Sequence, residues 1–144
     1  MKNTRKVSLA HKVVQTAYKL TQSLSHELKD FDIAPEQRVI LEVVDKNRKV
    51  SQNELSQYLE KDKTTVSRTL DVLEKKGYIK RKYTKEDKRI KFISLTPLGK
   101  EMLDKTVDII TNFRESTTNN FTKDELNTFF SLLEKISLNI ERRD

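Results

Sequence analysis

Apolar residues recur at helical spacing along most of this chain. Val13, Ala17, Leu20, Leu24, Leu28 and Phe31 fall on one face of a first helix about five turns long. Pro35 suits the first position of a second helix, which carries Val39, Ile40, Val43 and Val44 inward and ends near Asn47. Ser51-Gln52-Asn53-Glu54 has the pattern of a capping box, in which a hydroxyl and a carboxylate satisfy amides at a helix start. It predicts a short third helix with Leu55, Tyr58 and Leu59 inward. Asp62 can cap a fourth, whose Val66, Leu70 and Leu73 lie at i, i+4 and i+7 and which Gly77 stops.

Beyond Gly77 the helical period is lost. Tyr78 to Thr84 and Arg89 to Leu95 are rich in β-branched and aromatic residues, and the polar link Lys85-Glu86-Asp87-Lys88 between them makes a hairpin. Thr96-Pro97 then opens a fifth helix. Its Leu98, Met102, Leu103, Val107, Ile109, Ile110 and Phe113 form stripes wide enough for two neighbours. Thr122-Lys123-Asp124-Glu125 is a second capping box, before a last helix with Leu126, Phe129, Phe130, Leu133, Ile136 and Ile140 on one face. The class is mainly α with a small β-hairpin wing (α+β). Three successive helices followed by a basic hairpin make a winged helix-turn-helix, with the third and fourth helices as its two-helix unit.

Composition narrows the chemistry. A chain of 144 residues can bury a core without metals or disulfides. With no cysteine, thiolate nucleophiles, thiol redox switches and Cys-based metal sites are excluded. There is no Gly-rich phosphate loop and no His-centred triad, so an enzyme is not expected. His11 and His26 stand 15 residues apart on one helix, too far to share a metal, and no metal or cofactor is expected. The basic start, Met1 to Lys6, precedes no apolar run, so the expected location is the cytoplasm, with no membrane partner.

The net charge of +7 is local. Residues Lys61 to Lys91 hold 12 basic and five acidic side chains, and the rest of the chain holds 17 of each sign. One surface therefore meets a polyanion, or else presents a solvated lysine-rich face. Opposite the Val66-Leu70-Leu73 stripe, the fourth helix turns Thr64, Arg68, Asp71 and Lys75 outward, flanked by Ser67. Arg68 can pair with guanine O6 and N7, and Ser67 can serve a base edge or a phosphate. Lys63, Thr64 and Thr65 suit a phosphate held by hydroxyls, an ammonium and free helix-start amides, and Lys75 is a further phosphate candidate. Asp71 is expected to pair with Arg68 or Lys75, or else to accept from cytosine N4. At the hairpin, Lys85, Lys88 and Arg89 can reach along the backbone or into a minor groove; alone, they could equally be charges that discourage edge pairing.

From Asp62 to Ile79, through Asp87-Lys88-Arg89 and on to Leu95-Thr96-Pro97-Leu98-Gly99, the sequence resembles the MarR family of bacterial winged-helix regulators. The resemblance covers essentially the whole chain. It implies a homodimer built by the first, fifth and sixth helices, with 1–34 and 97–144 as dimerisation region and 35–96 as DNA-binding domain. It further implies a repressor on a near-palindromic operator, with Ser67 and Arg68 reading bases and Thr64 and Thr65 on phosphate. Arg89 would enter the minor groove, braced by Asp87. Ala34, where many members carry Thr or Ser, is expected to weaken the start of the second helix.

A dimer also follows from the apolar stripes, which a domain this small cannot cover at both ends. Val13, Ala17, Leu126, Phe129, Phe130, Leu133 and Ile136 are the interface or core candidates, and two-fold symmetry sets half-sites about 10 base pairs apart. Members of the family often release DNA on binding a small molecule. An aromatic or lipophilic effector would sit between the dimer helices and the winged domain, where His11 and Tyr18 are conceivable contacts; the alternative puts Tyr18 in the core and His11 on the surface. The competing function is a sequence-nonspecific, nucleoid-type nucleic-acid-binding protein, which would share the salt dependence but not the preference for one site.

Overall fold

In a computed structural model, which describes residues 8–83, 85 and 91–143, the element order is α1 (Leu9–Glu27), α2 (Pro35–Asn47), β1 (Val50–Ser51), α3 (Gln52–Leu59), α4 (Lys63–Lys75), β2 (Ile79–Tyr83), β3 (Lys91–Leu95), α5 (Pro97–Thr117) and α6 (Lys123–Glu141). This is a mostly helical winged helix-turn-helix with a small antiparallel sheet. By internal packing the chain divides into two units, Met1–Ile109 and Ile110–Asp144.

In the first unit, β3 lies between β1 and β2, antiparallel to both. Its register sets Ile79 against Leu95, Arg81 against Ile93 and Tyr83 against Lys91, so the two runs read as a hairpin pair as expected. Strand β1 was not expected. Val50 and Ser51 pair with Ile93 and Phe92, and two residues are too short to show a period.

The core joins this sheet to the helices. Leu41, Leu55, Leu70, Leu73 and Ile93 are fully buried, with Val44, Val66 and Ile79 beside them. Each contributes on the order of 1.5–3 kcal/mol by leaving water. Leu28 is also buried, and Leu24 and Phe31 pack against the same cluster. The first stripe thus outruns its helix: α1 ends at Glu27, and Phe31 reaches the core from the turn that follows. Tyr58 departs from its expected inward place. It is 71% exposed, because an eight-residue helix buries a single narrow face, here Leu55 and Ser56.

Helix ends follow the expected caps. The Ser51 Oγ accepts from the Glu54 amide at the start of α3, which is the hydroxyl half of the expected box without its carboxylate half, and Asp62 caps α4. Ala34 offers no side chain to α2, but the Gln37 Oε1 accepts from the Ala34 amide at 3.0 Å, so half of the capping function survives. At the end of α4, the Tyr78 amide donates to Leu73 O and the Gly77 amide to Glu74 O, a Schellman closure that needs the left-handed φ of +84° found at Gly77.

Just beyond the wing, Thr96 ties three segments together. Its Oγ1 accepts from the Gly99 amide at 3.1 Å and donates to Gly77 O, and its own amide donates to Tyr78 O. This closeness explains Gly99. A Cβ there would stand 2.2 Å from Tyr78 O and 3.1 Å from Leu95, so no other residue fits.

Arg38 is buried, at 4% exposure, and was not expected to be. Its Nε donates to Thr106 Oγ1 at 2.6 Å and its Nη2 to Leu103 O at 3.2 Å, while Nη1 pairs with Glu42. The guanidinium thereby joins α2 to the first turns of α5, and a carboxylate one turn along α2 balances it.

In the second unit, α6 starts at a full capping box between Thr122 and Glu125. The turn before it passes through Asn120 at φ +67°, a conformation that asparagine tolerates. Hydrogen bonds from the Thr122 amide and hydroxyl hold the Glu125 carboxyl below its ordinary range. Helix α6 has no buried residue. Phe129, Phe130, Leu132 and Ile140 are at least half exposed, and Leu126, Leu133 and Ile136 are half-buried.

Candidate nucleic-acid interface

Helix α4 has two faces of opposite character. Val66, Leu70 and Leu73 are buried at 2% or less. Thr64, Arg68, Asp71 and Lys75 are exposed on the other side, and Ser67 is half-buried at the flank. The outward face foreseen from the sequence is therefore assembled as a surface, with Lys63 and Thr65 exposed at its beginning.

One expectation at this helix start is corrected. The Asp62 Oδ1 accepts from the Thr65 amide at 2.7 Å, and the Thr65 hydroxyl donates to Oδ2 at 3.1 Å. These bonds hold the Asp62 carboxyl below its ordinary range, the Thr65 amide being the larger cause. The Thr65 amide is thus taken, since a carboxylate already occupies the anion position that a helix start creates. A phosphate here would meet the Lys63 ammonium and the Thr64 hydroxyl.

Asp71 corrects a second expectation. It pairs with neither Arg68 nor Lys75. Its Oδ1 accepts from Arg81 Nη2 at 2.6 Å, and the same guanidinium forks onto Glu74, with Nη2 to Oε1 and Nε to Oε2 both at 3.2 Å. Arg81 stands ten residues from Asp71 on β2, so only the fold brings them together; alternation along β2 with buried Ile79 was the one available signal. Glu74 is held below its ordinary range chiefly by the bond from Arg81, and Arg81 is raised chiefly by the bond to Glu74.

Not all of the basic window faces a partner. Lys76 Nζ donates to Gln37 Oε1 and Asp32 O and pairs with Asp32 Oδ1 at 3.1 Å, which fastens the end of α4 to the α1–α2 connection. The Tyr78 hydroxyl donates to the same Asp32 O. Lys76 and Arg81 are therefore structural cations. Lys63, Arg68, Lys75, Lys80, Lys82 and Lys85 form no ion pair among the described residues and supply the open charge.

At the wing, Lys85 is exposed. Asp87, Lys88 and Arg89 lie outside the described residues. On α1, His11 is exposed and Tyr18 is 66% exposed, so the alternative that packs Tyr18 in the chain's own core is set aside. No cluster of three His, Cys, Asp or Glu suited to a metal occurs among the described residues, and no described helix is long and apolar enough to cross a membrane.

A helix with an exposed polar and basic face over a packed core, next to a basic two-stranded wing, defines a winged helix-turn-helix DNA-binding protein. Residues 31–90 match the model of the MarR family. The chain is 29% identical over 116 residues to YybA, an uncharacterized HTH-type transcriptional regulator of Bacillus subtilis, which covers 81% of this chain and 77% of that one. It is 36% identical over 87 residues to the HTH-type transcriptional regulator PapX of Escherichia coli, covering 60% of this chain and 53% of PapX. Its fold matches a mutant MarR of E. coli solved in complex with operator DNA, with a TM-score of 0.82 and 26% identity over 89% of this chain and 92% of that one. In residues 31–90 and in fold, the chain is thus similar to the MarR family of winged helix-turn-helix transcriptional regulators.

Proposed function

We propose that the chain works in the cytoplasm as a homodimeric repressor, bound to a near-palindromic operator in double-stranded DNA and released from it by a small aromatic or lipophilic molecule. The observation that carries this reading is α4 itself, whose buried Val66-Leu70-Leu73 stripe fixes an exposed Thr64-Arg68-Lys75 face. Arg68 and Ser67 read base edges, with Arg68 paired to a guanine. Lys63, Thr64 and Lys75 hold phosphates, and Thr65 joins them when Asp62 yields its amide or hydroxyl proton. In the wing, Lys85 and Lys88 follow the backbone and Arg89, braced by Asp87, enters the minor groove. The operator complex of the E. coli relative supports duplex DNA as the partner.

The dimer is supported by what the chain leaves uncovered. Neither α1 nor α6 buries a residue. On α1, Leu9, Val14 and Tyr18 are about two-thirds exposed, and α6 exposes Phe129, Phe130 and Ile140. Contiguous apolar faces of this kind mark association surfaces, and a two-fold contact between identical copies is the commonest. On this reading 1–34 and 97–144 form the dimerisation region and 35–96 the DNA-binding domain. Half-sites then lie about one helical turn apart. An effector lodged against α1 beside His11 and Tyr18 would change how the two reading helices are spaced, which is how it would release the operator.

The test is to sequence genomic fragments retained by the purified protein, with and without a panel of aromatic acids and lipophilic cations. A short palindromic motif, retained in the absence of compound and lost with one class of compound, is the expected result. Retention of random fragments would instead establish the nonspecific, nucleoid-type activity.

A further inference from the structure

Arg81 is absent from the surface assigned to reading or gripping duplex, yet it touches both elements that form it. It sits opposite the fully buried Ile93 and two residues from the buried Ile79, on the side of the sheet that faces the helices. Its side chain is 14% exposed, while Asp71 and Glu74 remain 62% and 43% exposed on α4. An aliphatic residue at 81 would pack at such a seam at least as well. What the guanidinium adds is a three-bond fork from the wing strand onto two acids of the reading helix, a directional link that apolar contact does not supply. It also addresses a problem of sign. Asp71 and Glu74 border a face that is to meet phosphates, and uncompensated carboxylates there would repel them.

We propose that Arg81 is a positioning residue of the DNA interface, which clasps β2 to α4 through Asp71 and Glu74, sets the angle of the wing to the reading helix, and offsets half of the charge of two acids beside the operator phosphates. The proposal rests on the DNA-binding reading above and deepens it. Arg81 touches no base; it acts through where the wing lies and through the charge it removes.

The test compares the full-length wild type with Arg81→Lys, which keeps one charge but loses the fork, with Arg81→Gln, and with the neutral triple variant Arg81→Gln/Asp71→Asn/Glu74→Gln. Two readouts are taken: amide hydrogen exchange in β2 without DNA, and hydroxyl-radical footprints with affinities on a selected operator. Arg81→Lys and Arg81→Gln are expected to speed exchange in β2 by about fivefold while amides of the α2 core stay protected. Arg81→Gln is expected to lose minor-groove protection at the operator flanks and about tenfold in affinity. The triple variant should regain most of that affinity, because the acids are gone, without regaining flank protection, because the clasp is gone. Wild-type exchange and wild-type footprints in Arg81→Lys would overturn the proposal, as would equal loss of major-groove and flank protection. If the wild type itself protects no site, the DNA-binding reading fails, and exchange in β2 still decides whether the clasp exists.

Discussion

The winged core and the two terminal helices solve the problem of apolar surface in opposite ways. Between α2 and β3 the chain covers its own hydrophobic residues, with Leu41, Leu55, Leu70 and Ile93 fully buried. Helices α1 and α6 are just as regular in pattern, yet neither buries a residue. A stripe at helical spacing states that a face will be covered and is silent about which chain covers it. The core therefore holds α4 steady by itself, whereas the terminal helices leave their apolar faces exposed.

The largest effect expected from breaking this contrast is at Gly99. Ala there forces a methyl carbon into Tyr78 O, and Gly99→Ala should lower unfolding stability by roughly 3 kcal/mol or more in denaturant melts. Next comes the uncovered side. Phe130→Asp should weaken self-association about 100-fold in sedimentation equilibrium, with the winged core still folded by circular dichroism. Unchanged association would remove α6 from the interface.

Effects on the reading face are smaller. Arg68→Ala should erase about 1–3 kcal/mol of preference between operator and mismatched duplex in competition binding. Lys85→Ala should weaken all duplexes alike and lower the log–log salt slope by about one. The smallest effect concerns Asp62. Its carboxyl titrates lower when folded than when unfolded, so its contribution is present above the unfolded value and lost as pH falls through the folded one. The stability difference between wild type and Asp62→Asn should therefore shrink on acidification through the carboxylate range in pH-dependent melts, and a difference that grew would refute the cap.

Much of this was legible because it is local. Pro35, Asp62, Gly77, Thr96 and Thr122 each mark an element boundary through chemistry within a few residues, and the structure places the boundaries there. The outward face of α4 was likewise readable from one helical wheel. What escaped is non-local or too short: β1 has two residues, Arg38 meets Thr106 across 68 positions, and Arg81 meets Asp71 only once a strand folds back on a helix. Asp71 shows the limit most clearly. The sequence offered Arg68 and Lys75 on its own helix as partners, and the fold supplied a largely buried cation from the wing.

The most direct measurement is the ratio of affinities, at one fixed salt concentration, for the operator recovered from genomic selection and for random duplex of equal length. A regulator that reads bases through α4 should hold its operator on the order of 1,000-fold more tightly or better, with the ratio collapsing in Arg68→Ala. Equal affinity for the two duplexes in the wild type would contradict it.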